Sequence, residues 1–273
     1  MEQTNFNIRQ LKSTEIEYKT EERLTKLFQA SLYSSFLEGN YVFTIPAKYL
    51  KNSSNFGLGA SIGLSNEMIL LDGTIYLASA YNTHVLEEDK LSLGICYAKT
   101  CQFNDKTSHV YEITDCPSYE EFIKKSIQEQ RNISSPLYRG DKYFYAVKIE
   151  GEFNSITIRT FRKLKRPFKS FKEVCEESAV KKDYTSINGT LVGFYSPSNF
   201  NQISDEGFHF HFISENKAIG GHVLDFSIKQ AKMKANIIDK FEVKLPSASI
   251  YANPEEYKKN LETKKEPEGS LQD

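Results

Sequence analysis

Residues 207–226 constrain this chain most. They read Gly-Phe-His-Phe-His-Phe-Ile-Ser-Glu-Asn-Lys-Ala-Ile-Gly-Gly-His-Val-Leu-Asp-Phe and hold three of the five histidines in the sequence. Side chains two apart on a strand share a face. A strand over 208–213 therefore sends His209 and His211 one way and Phe208, Phe210 and Phe212 the other, toward a core. His222-Val-Leu-Asp-Phe-Ser-Ile reads as a second strand after a Gly220-Gly221 turn. Folded as an antiparallel hairpin with His211 opposite His222, the segment puts all three imidazoles on one face. Three convergent neutral imidazoles suit Zn²⁺ or another divalent first-row metal, and three ligands leave a coordination position open for water or substrate. A single strand histidine is ordinarily a structural or surface residue. Two at this spacing are harder to account for, because burying imidazoles without partners costs free energy.

Two other classes fit a histidine cluster. An oxygenase-like metal enzyme uses two His and one carboxylate. Asp225 would have to supply that carboxylate, and strand alternation points it away from His222. A non-enzymatic metal-stabilised binding domain would close the fourth ligand position.

Size and composition narrow the class. A chain of 273 residues makes one large domain or two small ones. Its 19 Phe and 16 Tyr supply core volume, and a net charge of −1 gives no basic field for nucleic acid or anionic membranes. No apolar run is long enough to span a bilayer. The first ten residues lack the pattern of a secretory signal, which implies a cytoplasmic protein. Cys96, Cys101, Cys116 and Cys175 contain no CxxC and read as free thiols in a reducing compartment.

Residues 1–20 are polar and read as an N-terminal extension. Leu24, Phe28, Leu32 and Phe36 recur every four residues and predict a helix over about 21–37, stopped at Gly39. β-like runs follow at 60–63, 68–71, 74–78 and 91–98, with Asp72-Gly73 as a type I′ hairpin turn. Ser118-x-x-Glu121 is a capping box opening a second helix, and 137–141 reads as a loop between halves. Strand patterns resume at 143–151 and 153–159, a short helix begins at Ser170, and strands return at 189–196, 235–238 and 241–245. Strands outnumber helices and do not alternate regularly with them. The expected fold is α+β and β-rich: mixed or antiparallel sheets in two packed halves, 21–140 and 141–246, with the metal site on a β-hairpin of the second half. Residues 247–273 form a Glu/Lys-rich tail.

These stretches together resemble the α-acetolactate decarboxylase family over roughly residues 24–268. The resemblance is carried by Phe56-Gly-Leu-Gly-Ala-Ser-Ile-Gly-Leu-Ser-Asn-Glu-Met-Ile-Leu-Leu-Asp-Gly73, Tyr145-Ala-Val-Lys-Ile-Glu-Gly-Glu-Phe153 and Gly189-Thr-Leu-Val-Gly-Phe-Tyr-Ser-Pro197. The most specific match is the pair Gly207-Phe-His-Phe-His-Phe212 and Gly220-Gly-His-Val-Leu-Asp-Phe226. It implies conversion of 2-acetolactate to (R)-acetoin and CO₂ by a homodimer, with zinc held by His209, His211 and His222. By position it also implies Glu67, Arg159 and a tail glutamate as catalytic residues. Spacing points to Glu268, with Glu262 and Glu266 as alternatives. Taken alone, Glu67 would be an ordinary turn carboxylate, and the tail glutamates ordinary solvated charge. Arg159 would open a solvated basic run with Arg162, Lys163, Lys165 and Arg166.

The chemistry agrees with this residue set. Loss of CO₂ from a 2-hydroxy-3-keto acid leaves electrons that the adjacent carbonyl accepts as an enediolate. A Lewis acid stabilises that charge. Arg159 can present its planar fork to an anion, and Glu67 or the tail glutamate can deliver the proton. No thiamine or pyridoxal is required, because the substrate carries its own electron sink.

Overall fold

The alternating runs become strands of one continuous sheet. In the computed structural model, which describes residues 6–12, 25–131 and 142–246, thirteen strands are linked by hydrogen bonding. The first half contributes β1 (Asn7–Lys12), β2 (Thr25–Ala30), α1 (Tyr33–Leu37), β3 (Ile45–Pro46), α2 (Ala47–Ser53), β4 (Phe56–Ser61), β5 (Glu67–Leu71), β6 (Thr74–Ala78), β7 (Thr83–Val85), β8 (Gly94–Cys101), β9 (His109–Cys116) and α3 (Tyr119–Arg131). The second half contributes β10 (Phe144–Phe161), α4 (Phe171–Glu177), β11 (Ala179–Ser196), β12 (Gly207–Ser214) and β13 (Gly220–Lys244). No helix among the described residues is long and apolar enough to cross a membrane.

β10, β11, β12 and β13 pair in turn, and β13 pairs back onto β10, closing a ring. The far end of β13 runs parallel to β2, from which the sheet continues through β8, β4, β5 and β6 to β7. Every other pairing is antiparallel, so the sheet is mixed. The strand patterns at 143–151 and 153–159 fuse into the single strand β10.

Two of the buried clusters frame the sheet. One lies within the ring and under α3, with Phe122, Phe153, Phe210, Phe212 and Phe226 fully buried; burying each such side chain contributes about 1.5–3 kcal/mol. The other joins Leu27, Phe56, Leu58 and Ile69 of the first half to Phe144, Val192, Phe194 and Ile213 of the second. β9 crosses from the first half to pair with β13, and β1, inside the expected extension, pairs with β9.

The local rules hold at the turns and at two helix starts. Asp72 and Gly73 both have positive φ, 50° and 77°, as a type I′ turn requires. Ser170 and Glu173 form a complete capping box for α4. At α3 only half the box forms: the Ser118 hydroxyl accepts the Glu121 amide at 3.2 Å, while the Glu121 carboxylate accepts from Lys124. Asp225 Oδ1 accepts the Tyr119 amide at the same helix start.

Two expectations are corrected. The helix over 21–37 is replaced, within its described part, by β2 and the five-residue α1. Residues 27–30 are buried between β13 and β8, and sheet pairing on both edges outweighs a helical periodicity of modest intrinsic preference. Ser31, at φ 71°, separates strand from helix, and Gly39, at φ 97°, follows its end. The second correction concerns Gly220-Gly221, which is not the turn. The reversal runs through 215–219 with Lys217 at φ 61°, and both glycines lie in β13, opposite Ile213 and Phe212. They are needed for close approach: a Cβ on Gly221 would sit 2.9 Å from the Arg159 carbonyl oxygen. The expected loop at 137–141 and the tail at 247–273 lie outside the described residues.

Candidate active site

Register builds the site. His211 in β12 lies directly opposite His222 in β13, and His222 lies opposite Arg159 in β10. Directly opposed residues share a face, so three strands deliver His211, His222 and Arg159 in a row, with His209 two positions along β12. Phe210 turns the other way into the core. From the first half, β5 brings Glu67. All five side chains line one cavity of about 390 Å³ whose walls are otherwise largely aromatic, including Tyr33, Tyr97, Phe161 and Phe208.

The imidazoles are arranged as ligands. One nitrogen from each lies within 4.8 Å of the others. His209 Nε2 and His222 Nδ1 are 3.0 Å apart, close to the separation of about 3.3 Å for two nitrogens on one tetrahedral zinc. His211 Nδ1 faces the Met68 carbonyl oxygen at 2.9 Å. A carbonyl only accepts, so Nδ1 carries the proton and Nε2 keeps its lone pair for the cavity. Burial holds the pKa of His211 and His222 well below the ordinary histidine range, with His209 and Arg159 adding to the effect. Both are therefore neutral, the form that binds metal. The donor set fits a divalent metal with an open position.

Glu67 is buried, with its Oε2 3.5 Å from His211 Nε2. Burial pushes its pKa up to about 7, opposed by the Arg159 guanidinium. Arg159 lies over Phe161 and Phe171, at 4.9 and 5.1 Å from their ring centroids, and donates to Cys175 Sγ at 3.6 Å. It has no ion pair among the described residues, and its Nε is buried without a partner. A guanidinium packed against two rings, with its Nε unpartnered among the described residues, is suited to receive a small anion.

Behind His209 stands a second group of polar residues. Asp205 Oδ2 is 2.5 Å from His209 Nδ1. Its Oδ1 accepts the Tyr97 hydroxyl at 2.9 Å and pairs with Lys99, which is fully buried and donates to the Ser196 hydroxyl at 2.7 Å. Burial opposes charge on Asp205, but Lys99 and His209 hold its carboxyl well below the usual carboxylate range, so it is ionised.

Comparison with known proteins agrees with this architecture. The family model for alpha-acetolactate decarboxylase matches residues 27–255. The chain belongs to the alpha-acetolactate decarboxylase family. The family makes it an enzyme of the carboxy-lyase class. The alpha-acetolactate decarboxylase of Brevibacillus brevis is 30% identical over 83% of this chain and 75% of its own length. That of Lactococcus lactis subsp. lactis is 29% identical over 82% of this chain and 89% of its own. The crystal structure of alpha-acetolactate decarboxylase from Bacillus subtilis strain 168 superposes with a TM-score of 0.73 at 24% identity, covering 87% of this chain and 98% of that one; the likeness concerns the fold.

The structure brings together five of the six residues singled out in the sequence: Glu67, Arg159, His209, His211 and His222. Glu268, with Glu262 and Glu266, lies outside the described residues. Arg159 differs from the rest of its basic run, since Arg162, Lys163, Lys165 and Arg166 are exposed while it lines the cavity. Asp225, the carboxylate of an oxygenase-like set, is exposed at the start of α3. Sequence reasoning missed Asp205, Lys99 and Tyr97. A lysine inside the buried run Gly-Ile-Cys-Tyr-Ala-Lys-Thr-Cys was the available signal, because a lysine is almost never fully buried unless paired.

Proposed function

We propose that the protein decarboxylates 2-acetolactate to (R)-acetoin and CO₂, with zinc as the metal held by His209, His211 and His222. The observation that carries this reading is the meeting in one cavity of three imidazoles, a buried carboxyl and a guanidinium that has no ion pair among the described residues. When bound, a divalent metal supplies a Lewis acid for the negative charge that develops on the substrate oxygens as CO₂ leaves. Arg159 receives the substrate carboxylate through its fork and orients the bond to be broken. Aromatic walls exclude water, which strengthens each charge interaction inside. Glu67, beside His211, holds a proton and delivers it to one face of the enediolate left on the substrate. Glu268, or Glu262 or Glu266 in its place, reaches back from the tail as a second acid or base. The names of the relatives and the four free cysteines support a cytoplasmic enzyme of acetoin biosynthesis, and the family resemblance supports a homodimer.

The test is to incubate purified protein with racemic 2-acetolactate and assay acetoin with and without a chelator. Acetoin should form, disappear on chelation and return with Zn²⁺, and the melting temperature should fall with metal removal. A metal-loaded protein that makes no acetoin would overturn the reading. Removal of residues 261–273 should leave a folded, metallated but slow enzyme, with Glu268→Gln reproducing most of the loss. Normal turnover by the truncated protein would leave proton delivery to Glu67 alone.

A further inference from the structure

His209 is the most exposed to misorientation of the three imidazoles. It sits at the start of β12, only two residues beyond Gly207, at φ 79°, and the ring could present either nitrogen to the cavity. The choice is made by what its Nδ1 meets. That partner is Asp205, on the segment leading into the strand. Asp205 is 7% exposed and cannot turn to solvent. Its Oδ1 is engaged by the Tyr97 hydroxyl and the Lys99 ammonium, with the Ser204 hydroxyl at 3.5 Å. Only Oδ2 is left, and it points at His209 Nδ1. Lys99 is itself anchored by Ser196. The chain of contacts runs from β8 and β11 through Asp205 to one ring nitrogen.

We propose that Asp205, anchored by Lys99 and Tyr97, is the positioning residue that fixes His209 in the Nδ1–H tautomer and so makes its Nε2 a metal ligand. This rests on the metal reading given above. With Oδ1 already taken by the Tyr97 hydroxyl and Lys99, Oδ2 is the acceptor that faces His209, so the ring proton lies on Nδ1, and the lone pair on Nε2 faces His222 and the cavity. A carboxylate behind a ligating imidazole also raises its basicity toward the metal. Lys99 has a separate task. Without it, Asp205 would be an uncompensated buried anion. His211 is fixed in the same tautomer by a neutral acceptor, the Met68 carbonyl, so among the described residues the two differ in the charge of what holds them.

A merely structural ion pair makes a different prediction from a positioning one, and replacing both partners separates them. In Lys99→Met/Asp205→Leu the buried pair becomes apolar at similar volume, which leaves folding intact. The melting temperature of the metal-stripped double variant should match that of the stripped wild type. Its affinity for Zn²⁺, measured by competition with a chromophoric chelator, should nevertheless fall by roughly 10- to 100-fold. Lys99→Met/Asp205→Asn returns a neutral acceptor for the Nδ1 proton and should recover part of that loss. Wild-type Zn²⁺ affinity in the Met/Leu variant would overturn the proposal while leaving the metal reading in place. A wild-type protein that binds no Zn²⁺ would overturn the metal reading and this proposal with it. A second measurement needs no variant: ¹⁵N shifts of the His209 ring in the stripped wild-type chain should report a protonated Nδ1 and a bare Nε2. The opposite tautomer would overturn the assignment even if the double variants failed to fold.

Discussion

Phe210 and Phe212 on one face of β12 are held differently from His209 and His211 on the other. The phenylalanines meet rings: Phe212 lies edge-on to Phe153 at 5.5 Å, and Phe210 meets Phe122 and Phe226. Dispersion and burial have no preferred direction, so what matters there is filled volume. The imidazoles meet single atoms, Asp205 Oδ2 and the Met68 carbonyl oxygen, and what matters there is direction. Substitutions on the aromatic face should cost stability and spare the chemistry. Substitutions on the imidazole face should do the reverse.

The largest expected effect belongs to the aromatic face. Phe212→Ala should destabilise the stripped protein by ~3–5 kcal/mol in chemical denaturation, while the fraction that folds binds Zn²⁺ with nearly normal affinity. A matching collapse in affinity would mean that the faces are coupled and the comparison fails. His211→Ala should come next. Its Zn²⁺ affinity should drop about 100-fold, or ~2.7 kcal/mol, in a chain that remains folded without metal; full metal occupancy would remove His211 from the ligand set. Arg159→Lys keeps the charge but loses the fork and the guanidinium contacts with the Phe161 and Phe171 rings. Turnover of 2-acetolactate should fall roughly tenfold, or ~1.4 kcal/mol, with metal content unchanged. Wild-type turnover would return Arg159 to the solvated basic run.

His109 sharpens the comparison with the smallest effect. It is buried, and neither ring nitrogen has a partner among the described residues. Burial lowers its pKa below the usual 6.5. The native state therefore binds fewer protons than the unfolded state below that pH, and stability falls as pH falls through 6.5. His109→Leu should remove its share of the fall. Between pH 7.5 and 5.5 the melting temperature of the variant should decline less than that of the wild type. Parallel declines would show that His109 contributes nothing to the acid sensitivity.

What could be read from the sequence was local and periodic. Phe-His-Phe-His-Phe announces a strand with two unlike faces, and Asp72-Gly73 announces its turn, because each pattern is complete within a few residues. The helical reading of 21–37 failed because Phe28 and Leu24 share a spacing that says nothing of β13, whose end arrives more than two hundred residues later to pair with β2. Gly220-Gly221 was recognised as special for the wrong reason: rather than reverse the chain, Gly221 admits the Arg159 backbone and Gly220 packs against Ile69 and the Phe212 carbonyl. The support behind His209 was invisible for the same cause as the helix error. Tyr97 and Asp205 lie 108 positions apart, and nothing local to either marks the other. The catalytic roles expected of Glu67 and Arg159 came from family resemblance, since alone their neighbourhoods read as solvated charge.

The pairing of β2 with the far end of β13 also sets a schedule for synthesis. Thr25 leaves the ribosome first, and its partner Ile238 follows only more than two hundred residues later. At about 5–20 residues per second, the interval is on the order of tens of seconds. Throughout it β2 can pair with β8 on one side while its other edge lies open to strands of other nascent chains. A message cut short before Ile238 would therefore yield no smaller working enzyme. It would yield a chain that holds all three histidines beside an unsealed sheet edge.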